Sequence, residues 1–361
     1  MIRPKSYIED IPSYKPGKSI DEYVRERGFE PIKLASNENP FGPSKKVVDA
    51  VKKMVDEIHR YPDGYSLLLR EKLASLLGIG NDFIIVTNGS NEAIELLCKI
   101  YLSCKDSVVV PYPTFSMYEI FSRIYGATVR KIPLVNYRVD FDRIIDAIDD
   151  TTKLVFLSNP NNPTGTIFRK REFEGFLKNL ESDTLIVVDE AYFDFVEDPD
   201  FPDTISLVKS GYPVVVIRTF SKAYGLAGLR IGYAVADRDV ISYMNRVRQP
   251  FNVNLLAQVS ALFALDDGEY YEMVRRIVID ERKRLKAEIS GMGFEVVESE
   301  ANFLTINVGD GDLFYSRLLD RGVIVRSLRS FGMPEYIRVT IGKPHENDVF
   351  LKSFKEVANT T

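Results

Sequence analysis

Four polar segments, each directly after an apolar run, contain the residue types that could do chemistry in this 361-residue chain. The first is TNGSN at 87–91, between the apolar run FIIV and a helical pattern. Gly89 permits a tight turn there, and Ser90 or Asn91 can cap the helix. Backbone N–H groups at a helix start attract anions, so the segment predicts a phosphate cradle. Taken alone, the segment is more typical of a plain capped turn.

The second segment, SNPNNPTGT at 158–166, follows the apolar run KLVFL. Its two Asn-Pro steps favour extended backbone at Asn159 and Asn162 and predict a rigid turn. A rigid turn at the end of a strand can fix an Asn amide toward a ligand. A structural loop is the alternative, but such a loop would not need this composition, and we therefore expect a binding role.

The third segment is VVDEAY at 187–192. Asp189 ends an apolar run, where a carboxylate without a cationic partner is costly to bury. We therefore expect Asp189 to face a positively charged ligand or a paired arginine. Tyr192 lies three residues further on and could reach the same ligand through its hydroxyl group. The alternative is a surface Asp next to a core Tyr.

The fourth segment is RTFSKAYGLAGLR at 218–230, again directly after an apolar run. Lys222 lies in an apolar, glycine-rich setting, where loss of solvent lowers the pKa of a lysine and makes it a nucleophile toward carbonyl groups. Thr219, Ser221 and Arg230 add hydrogen-bond donors suited to a phosphate. A surface lysine in a loop is the alternative.

Together, the four segments offer a phosphate cradle, an amide, a buried carboxylate and a lysine. Pyridoxal phosphate needs this set, because it has a phosphate, a phenolic oxygen, a ring nitrogen that must stay protonated, and an aldehyde that condenses with lysine. The cofactor also explains how an enzyme could manage with two histidines, since a lysine released from the aldehyde can act as the base.

Histidine scarcity excludes several other kinds of site. His59 and His345 are the only imidazoles, so neither a three-His metal site nor an HExxH site can form, and we predict no metal site. A Ser-His-Asp triad would have to use one of these two residues. Both lie in charged or polar runs, and we interpret them as surface residues without a role in the chemistry.

The net charge and the absence of two phosphate-binding motifs argue against several classes of ligand. With 47 Lys and Arg against 52 Asp and Glu, the formal net charge is −5, which argues against binding based on nucleic-acid phosphates. The chain lacks GxxxxGK[ST] and GxGxxG, so P-loop and NAD-dependent dehydrogenase functions are weakly supported. We expect small-molecule substrates and no nucleic acid.

Cysteine usage and the absence of long apolar runs indicate the compartment. Cys98 and Cys104 are too few for a disulfide framework, and we interpret them as a buried pair of free thiols. The start of the chain has no apolar core of signal-peptide length, and no apolar run approaches the ~18 residues of a membrane span. We therefore expect a cytoplasmic protein that does not enter a membrane.

Apolar runs and helical patterns alternate along most of the chain. The runs are FIIV at 83–86, SVVV at 107–110, ATVRKI at 127–132, KLVFL at 153–157, TLIVV at 184–188 and VVVI at 214–217. Continuous apolar strands separated by helices predict an α/β fold whose mainly parallel sheet is covered by helices on both faces. Ligands bind beyond the carboxyl ends of such strands, where the four segments lie.

The sequence patterns at the two ends of the chain differ from this alternation. The first residues are polar with spaced prolines, which predicts an N-terminal arm. From about residue 246, a long helical stretch is followed by the short strands FEVV, FLTINV, VIVRSL and YIRVT and a last helix, which predicts a smaller α+β domain. We divide the chain into an arm at 1–36 that packs on the small domain and a dimer partner, a large domain at 37–247 and a small domain at 248–361.

Motif order gives a specific resemblance. SNPNNPTGT, VDEAYFDF and SKAYGLAGLRIGY, in this order, resemble the fold-type-I pyridoxal-phosphate aminotransferases, which implies a seven-stranded-type sheet in the large domain. LASNENPFGPS at 34–44, RYPDGY at 60–65, TNGSNEAIELL at 87–97 and PTFSMYE at 113–119 narrow the resemblance to the histidinol-phosphate aminotransferases. The likeness extends from about Tyr14 to about Lys343.

The resemblance implies a role for each matching position. Lys222 would bind the cofactor aldehyde and shuttle protons, Asp189 would hold the ring N–H, and Asn162 and Tyr192 would bond the phenolic oxygen. Phe115, where many relatives have Tyr, would stack on the ring. The residues implied to hold the phosphate are Gly89, Ser90, Asn91, Thr219, Ser221 and Arg230.

Substrate contacts and a dimer are implied in the same way. Arg338, assisted by Arg326, would grip the carboxylate of glutamate or the phosphate of the other substrate. Tyr14 and Asn37 would line the substrate pocket. Tyr61 would reach the cofactor phosphate of a neighbouring subunit, which implies a homodimer.

The implied reaction moves an amino group between L-glutamate/2-oxoglutarate and imidazole acetol phosphate/L-histidinol phosphate, a step of histidine biosynthesis. Two alternatives share these motifs, an aromatic amino-acid aminotransferase and a threonine-phosphate decarboxylase. A more distant alternative is a pyridoxal-phosphate-binding module without turnover, although the chain carries no DNA-binding extension.

Overall fold

A seven-stranded sheet forms the centre of the protein. The computed structural model describes residues 2–11 and 18–360 of the chain. In spatial order, the strands are β2 (Ile84–Thr87), β8 (Gly232–Val235), β7 (Val214–Thr219), β6 (Leu185–Asp189), β5 (Thr152–Ser158), β3 (Ser107–Tyr112) and β4 (Thr128–Pro133). β8 is antiparallel to both of its neighbours, and the other pairs are parallel. The prediction of a mainly parallel sheet is confirmed.

Both faces of this sheet are buried, because successive side chains of a strand point to opposite faces. Val155 and Leu157 of β5 belong to one apolar cluster, and Leu154 and Phe156 belong to another on the opposite face. The helices of the described residues are α1 (Ser6–Glu9), α2 (Ile20–Arg27), α3 (Lys45–Met54), α4 (Leu67–Leu77), α5 (Ser90–Tyr101), α6 (Met117–Ile124), α7 (Phe141–Asp146), α8 (Lys170–Lys178), α9 (Thr204–Lys209), α10 (Arg238–Val247), α11 (Leu255–Leu265), α12 (Gly268–Gly291), α13 (Gly311–Asp320) and α14 (Pro344–Ala358).

A small antiparallel sheet follows the long helix α12. It has the order β11 (Arg326–Ser327), β12 (Tyr336–Thr340) and β9 (Phe303–Asn307). Two further strands, β1 (Ile32–Lys33) and β10 (Val323–Ile324), form a separate parallel pair. The apolar side chains of β9 and β12 share one core with α12 and α14, so this region has its own hydrophobic cluster, as expected for the predicted α+β part.

Three details of the predicted strands are wrong. FEVV at 294–297 forms only an isolated bridge between Val296 and Ile306, and its Phe294 packs edge-on against Phe354 with ring centroids 4.9 Å apart. VIVRSL divides into β10 and β11, which belong to different sheets. The short strands β1 and β8 are absent from the predicted set, since β1 has two residues and β8, with the sequence GYAV, is not a run rich in β-branched residues.

The division into an arm at 1–36, a large domain at 37–247 and a small domain at 248–361 remains a proposal. Two contacts support the proposed packing of the arm on the small domain. The Tyr23 hydroxyl donates a hydrogen bond to the Leu319 carbonyl at 2.9 Å, and β1 pairs with β10. Helix α11 shares the apolar cluster of the large sheet with α3 and α4. This packing favours a boundary nearer the start of α12 than residue 248.

The two histidines and the two cysteines do not line the cavity at the sheet edge where the polar segments lie. His59 and His345 are both exposed, as predicted. The expectation of two buried thiols is half right, because Cys98 is buried within α5 while Cys104, just beyond that helix, is exposed; both are free. Across residues 2–11 and 18–360, no helix combines the length and the apolar composition needed to span a bilayer.

Candidate active site

The carboxyl ends of the parallel strands open into a cavity of about 220 Å³ between the large sheet and the small one. The residues that line it are Ala35, Ser36, Asn37, Ser90, Asn91, Phe115, Ser116, Tyr118, Ser158, Asn162, Asp189, Ala191, Tyr192, Thr219, Ser221, Lys222, Arg230, Arg326, Phe331 and Arg338. The four polar segments of the sequence therefore meet in one place, as the strand-end argument predicts.

Lys222 follows β7 and is partly buried in the cavity wall. Its Nζ donates a hydrogen bond to the Ser36 carbonyl at 3.3 Å and lies 5.4 Å from the centre of the Tyr192 ring. Burial lowers the pKa of Lys222 to about 8, and the positive charge of Arg338 acts in the same direction. A substantial neutral fraction near physiological pH makes this amine a nucleophile toward an aldehyde.

Asp189 ends β6 and is buried, with 4% of its surface exposed. Tyr118 donates its hydroxyl hydrogen bond to Oδ2 at 2.8 Å, and the Ala191 N–H donates to Oδ1 at 3.0 Å. Burial raises the pKa of Asp189 to about 6, while the Tyr118 bond opposes that rise. The predicted paired arginine is not its partner, since Arg218 pairs with Glu190 instead, with Nη2 and Oε2 2.8 Å apart.

The side chains of the rigid turn after β5 are mostly engaged in the turn itself. Asn159 exchanges hydrogen bonds with the Phe168 backbone at 3.0 and 3.2 Å, and Asn161 accepts from Thr114 at 2.8 Å. Asn162 faces the cavity, where its Oδ1 accepts a hydrogen bond from Arg338 Nη1 at 2.5 Å. Of the Asn residues in this segment, Asn162 is thus the one available to a ligand.

The predicted phosphate cradle lies where helix α5 begins. Gly89 rather than Ser90 or Asn91 occupies the N-cap position, and no side chain caps the helix, so that detail of the prediction is wrong. Gly89 has a φ of 76°, a left-handed backbone that favours glycine. A Cβ atom at this position would lie 2.6 Å from Arg230 Nη2, so the glycine lets that guanidinium approach the helix start.

The rest of the cradle comes from β7 and the segment before β8. Thr219 Oγ1 accepts from the Ser221 N–H at 3.1 Å, and Arg230 Nη1 lies 3.5 Å from Ser221 Oγ. A Cβ atom on Gly232 would come within 2.9 Å of the Ser90 nitrogen. Two glycines thus keep space around uncapped N–H groups beside an arginine, which is an arrangement suited to a phosphate.

The opposite wall carries two arginines in register. Arg326 of β11 pairs directly with Arg338 of β12, so both side chains project from the same face of the small sheet. Arg338 is buried, and its guanidinium lies 5.2 Å from the Phe303 ring and 6.0 Å from the Phe331 ring. Two planar cations at one cavity wall are a donor arrangement that suits a carboxylate or a phosphate.

One expected residue, Tyr61, lies away from this cavity within its own chain. Tyr61 is 83% exposed and stacks on Phe251 with ring centroids 4.6 Å apart. Tyr14 lies outside the described residues. Phe115 lines the cavity as expected and packs edge-on against Tyr118 at 5.6 Å.

Sequence reasoning missed several supporting residues. Tyr118 lies within PTFSMYE, three residues after Phe115, yet no role was predicted for it; that spacing around the start of α6 was a usable signal. Thr340 and Asn302 reach Asn37 from the small sheet. No signal in the sequence brings these distant residues together.

Known proteins resemble this chain in both sequence and fold. The family model for aminotransferases of class I and II matches residues 30–354. A histidinol-phosphate aminotransferase from Desulfotalea psychrophila is 43% identical over 354 residues, which cover 97% of this chain and 93% of that protein. The solved histidinol-phosphate aminotransferase of Clostridium acetobutylicum has a TM-score of 0.84 at 28% identity and covers 91% of this chain and 99% of its own.

A second solved structure adds a fold comparison. The histidinol-phosphate aminotransferase of Sinorhizobium meliloti, solved in complex with pyridoxal-5'-phosphate, has a TM-score of 0.90. Its sequence is 24% identical, and the match covers 100% of this chain and 98% of that one. At this identity the likeness supports the fold.

Proposed function

Since this chain belongs to the class I and II aminotransferases, we propose that it transfers an amino group between L-glutamate/2-oxoglutarate and imidazole acetol phosphate/L-histidinol phosphate. The observation that carries the choice of substrate is the register pairing of Arg326 with Arg338 at the cavity wall opposite Lys222. One anion site must accept a carboxylate in one half of the reaction and a phosphate in the other. Planar, polydentate guanidinium groups can bind both.

The residues of the cavity fit pyridoxal phosphate. The uncapped start of α5, with space kept by Gly89 and Gly232, suits the phosphate, and Arg230 and Ser221 would complete that end. Asp189 has both oxygens oriented by fixed donors and would hold the ring nitrogen. When bound, the cofactor supplies an aldehyde that takes up the amino group and a protonated ring that stabilises negative charge on the substrate's α carbon.

In this proposal, the protein's own residues divide the remaining work. Lys222 Nζ would hold the cofactor covalently and, once released by the incoming amine, would take the proton from the substrate's α carbon and deliver it to the carbon that had been the cofactor's aldehyde, with the reverse transfer in the second half-reaction. Its lowered pKa suits both roles, because the amine is neutral in part of the population near pH 7. Asn162 and Tyr192 would orient the cofactor's phenolic oxygen, and Phe115 would cover a face of its ring.

Substrate binding would use the remaining side of the cavity. Arg338, supported by Arg326, would bind the carboxylate or phosphate and thereby align the α carbon with Lys222. Asn37 lies beside this region and is 1% exposed. Tyr14 is proposed to line the substrate pocket on the strength of the sequence resemblance alone.

We also propose that the protein works as a homodimer in the cytoplasm. Tyr61 belongs to a strongly exposed apolar group, in which Ile58, Tyr65 and Leu68 are each more than 60% exposed. A second copy would cover this face and receive the Tyr61 hydroxyl at its cofactor phosphate. Sedimentation velocity should therefore give a particle of twice the 41.1 kDa chain mass, and a monomer would contradict the proposal.

A survey of single half-reactions tests the substrate. The holoenzyme is mixed with one amino compound at a time, and the rate at which the cofactor absorbance changes is recorded. We expect histidinol phosphate to react fastest and glutamate to react measurably. A faster reaction with phenylalanine or tyrosine would favour an aromatic aminotransferase, and release of carbon dioxide from threonine phosphate would favour a decarboxylase. No reaction with any amine would indicate a binding module.

A further inference from the structure

A chain of hydrogen bonds connects the small sheet with the hydroxyl group of Tyr192. Asn37 Nδ2 donates to Tyr192 Oη at 3.0 Å. The hydroxyl of Thr340, the last residue of β12, donates to Asn37 Oδ1 at 3.1 Å. The Asn37 N–H donates back to Thr340 Oγ1 at 2.9 Å. All three side chains are buried, with at most 5% of the surface of each exposed, so water does not compete for these bonds.

The direction of these bonds follows from the number of protons available. Thr340 has one hydroxyl proton and already accepts the Asn37 backbone N–H, so it can satisfy the amide oxygen of Asn37. With the oxygen held by Thr340, the amide nitrogen must face Tyr192 and donate to it. The phenol oxygen of Tyr192 therefore acts as an acceptor toward Asn37, and its own proton remains available for an acceptor inside the cavity.

The opposite orientation of the amide would reverse this outcome. If Asn37 turned its Oδ1 toward Tyr192, the tyrosine would donate its single proton to Asn37 and would have none for the cavity. The Thr340 hydroxyl is thus the group that decides which way the Tyr192 proton points. Thr340 and Tyr192 do not bond each other directly, so this effect passes through Asn37.

The backbone of Asn37 is held as firmly as its side chain. Its φ of 54° lies in the left-handed region, which Asn tolerates better than most residues. Asn302 donates from Nδ2 to the Asn37 carbonyl at 3.1 Å, and the Ile341 N–H donates to the Asn302 carbonyl at 2.9 Å. The small sheet therefore fixes both the backbone and the amide of this one residue.

We propose that Thr340 is a positioning residue that, through the amide of Asn37, makes Tyr192 a hydrogen-bond donor to the cofactor's phenolic oxygen. The inference rests on the proposed function, because it assumes that pyridoxal phosphate binds in this cavity. A donor to that oxygen favours its negatively charged form. The small sheet thereby helps to set the acidity of the bound cofactor, in addition to providing the arginines.

The test is a pH titration of the visible absorbance of the purified holoenzyme, which follows protonation of the bound cofactor without any turnover. Thr340→Val has nearly the same volume but lacks the hydroxyl, so it lets the Asn37 amide turn. We expect the titration midpoint to rise by roughly 0.5 to 1 pH unit, since hydrogen bonds to a charged form shift a pKa by about this amount each. Thr340→Ser keeps the hydroxyl and should titrate like wild type.

A double-mutant cycle shows whether the effect passes through Tyr192. Tyr192→Phe alone should raise the midpoint, and adding Thr340→Val to it should cause no further change. Thr184→Val is the matched control, because Thr184 is a buried threonine that donates to the Thr152 carbonyl at 3.0 Å at the far end of β6. This control should leave the midpoint unchanged. Thr340→Ala provides a second variant without the hydroxyl in case Thr340→Val does not fold.

Three results would overturn the proposal. They are an unchanged midpoint in both hydroxyl-free variants, an equal shift in Thr340→Ser, and an additional shift of Thr340→Val in the Tyr192→Phe background. A wild-type protein that develops no visible absorbance with pyridoxal phosphate would refute the proposed function itself. If the wild type titrates normally but the Thr340 variants do not differ from it, only the positioning role of Thr340 is refuted.

Discussion

The cavity has two walls of different construction. The large-sheet wall, which consists of Asp189, Lys222 and Arg230, is built from segments that follow different strands of one mainly parallel sheet. The small-sheet wall consists of Arg326 and Arg338, which lie opposite each other on neighbouring antiparallel strands. The large-sheet wall thus combines a carboxylate, an amine and a guanidinium group. The small-sheet wall presents two guanidinium groups side by side.

This difference corresponds to two kinds of binding. A cofactor with several chemically distinct atoms needs several distinct partners, and adjacent parallel strand ends provide them. The proposed substrates share an anionic group besides the reacting amine or ketone, and a cross-strand pair of arginines provides concentrated positive charge for that group. Changes in the large-sheet wall should therefore alter the cofactor and the chemistry, while changes in the small-sheet wall should alter the substrate.

The largest effect is expected at Lys222. In the proposed mechanism, Lys222→Ala removes both the covalent link to the cofactor and the base, and turnover should fall by at least about a thousand-fold. The protein should also lose the absorbance band that borohydride bleaches. Lys52→Ala, an exposed lysine on α3, is the control and should behave like wild type. Full turnover of Lys222→Ala would refute the mechanism.

Replacement of Asp189 should have the next largest effect. If Asp189 holds the ring nitrogen as proposed, Asp189→Asn cannot keep that nitrogen protonated, and we expect the half-reaction rates to fall by about a hundred-fold. Asp194→Asn is matched in burial, because Asp194 is 2% exposed but bonds Tyr271 at 2.7 Å rather than lining the cavity. Stopped-flow absorbance should show rates within a few-fold of wild type for this control. Equal losses in both variants would mean that burial, rather than contact with the cofactor, explains the effect of Asp189.

Asp194 should instead affect stability. Burial raises its pKa from 3.8 to about 6, so the folded protein binds this proton more tightly than the unfolded chain does. Its contribution to the free energy of unfolding therefore falls as the pH rises from about 4 to 6 and stays low above that range. Asp194→Asn should be more stable than wild type by about 3 kcal/mol at pH 8 and show little of this gain near pH 4. Urea unfolding measures both values, and a gain that is the same at the two pH values would contradict the argument.

The smallest effect is expected at the histidines, which belong to neither wall. His59 and His345 are exposed, and His59 Nδ1 lies 3.0 Å from the Asp56 carbonyl oxygen. A double replacement by Gln should leave turnover and its pH profile within a few-fold of wild type. If the double variant lost the rise or the fall of turnover with pH that the wild type shows, an imidazole would take part in the proton transfers.

The large-sheet wall was more predictable from the sequence than the small-sheet wall. Asp189 follows one apolar run and the segment with Lys222 and Arg230 follows another, and the rule that ligands bind at parallel strand ends brings these groups together. Arg326 and Arg338 were expected to act together only from the family resemblance, because their pairing depends on strand register, which no local pattern reveals. The contact between Thr340 and Asn37 joins residues 303 positions apart, so no local pattern could indicate it.

The residue at the N-cap of helix α5 could also not be predicted from the sequence. Ser90 and Asn91 are good capping residues by type, yet Gly89 takes the N-cap position. The reason lies in the tertiary packing, because Arg230 approaches Gly89 more closely than any side chain there would allow. The same packing leaves the first N–H groups of α5 without a side-chain cap.

The most direct test of the division between the two walls is Arg338→Ala, measured in both half-reactions. Arg329→Ala, a surface arginine of the same region, is the control. We expect the rates with glutamate and with histidinol phosphate both to fall by at least about ten-fold at low substrate, because each loses a charge-assisted bond. The absorbance of the resting enzyme should keep its cofactor band. Loss of only one half-reaction, or release of the cofactor with substrate affinity unchanged, would contradict the shared anion site.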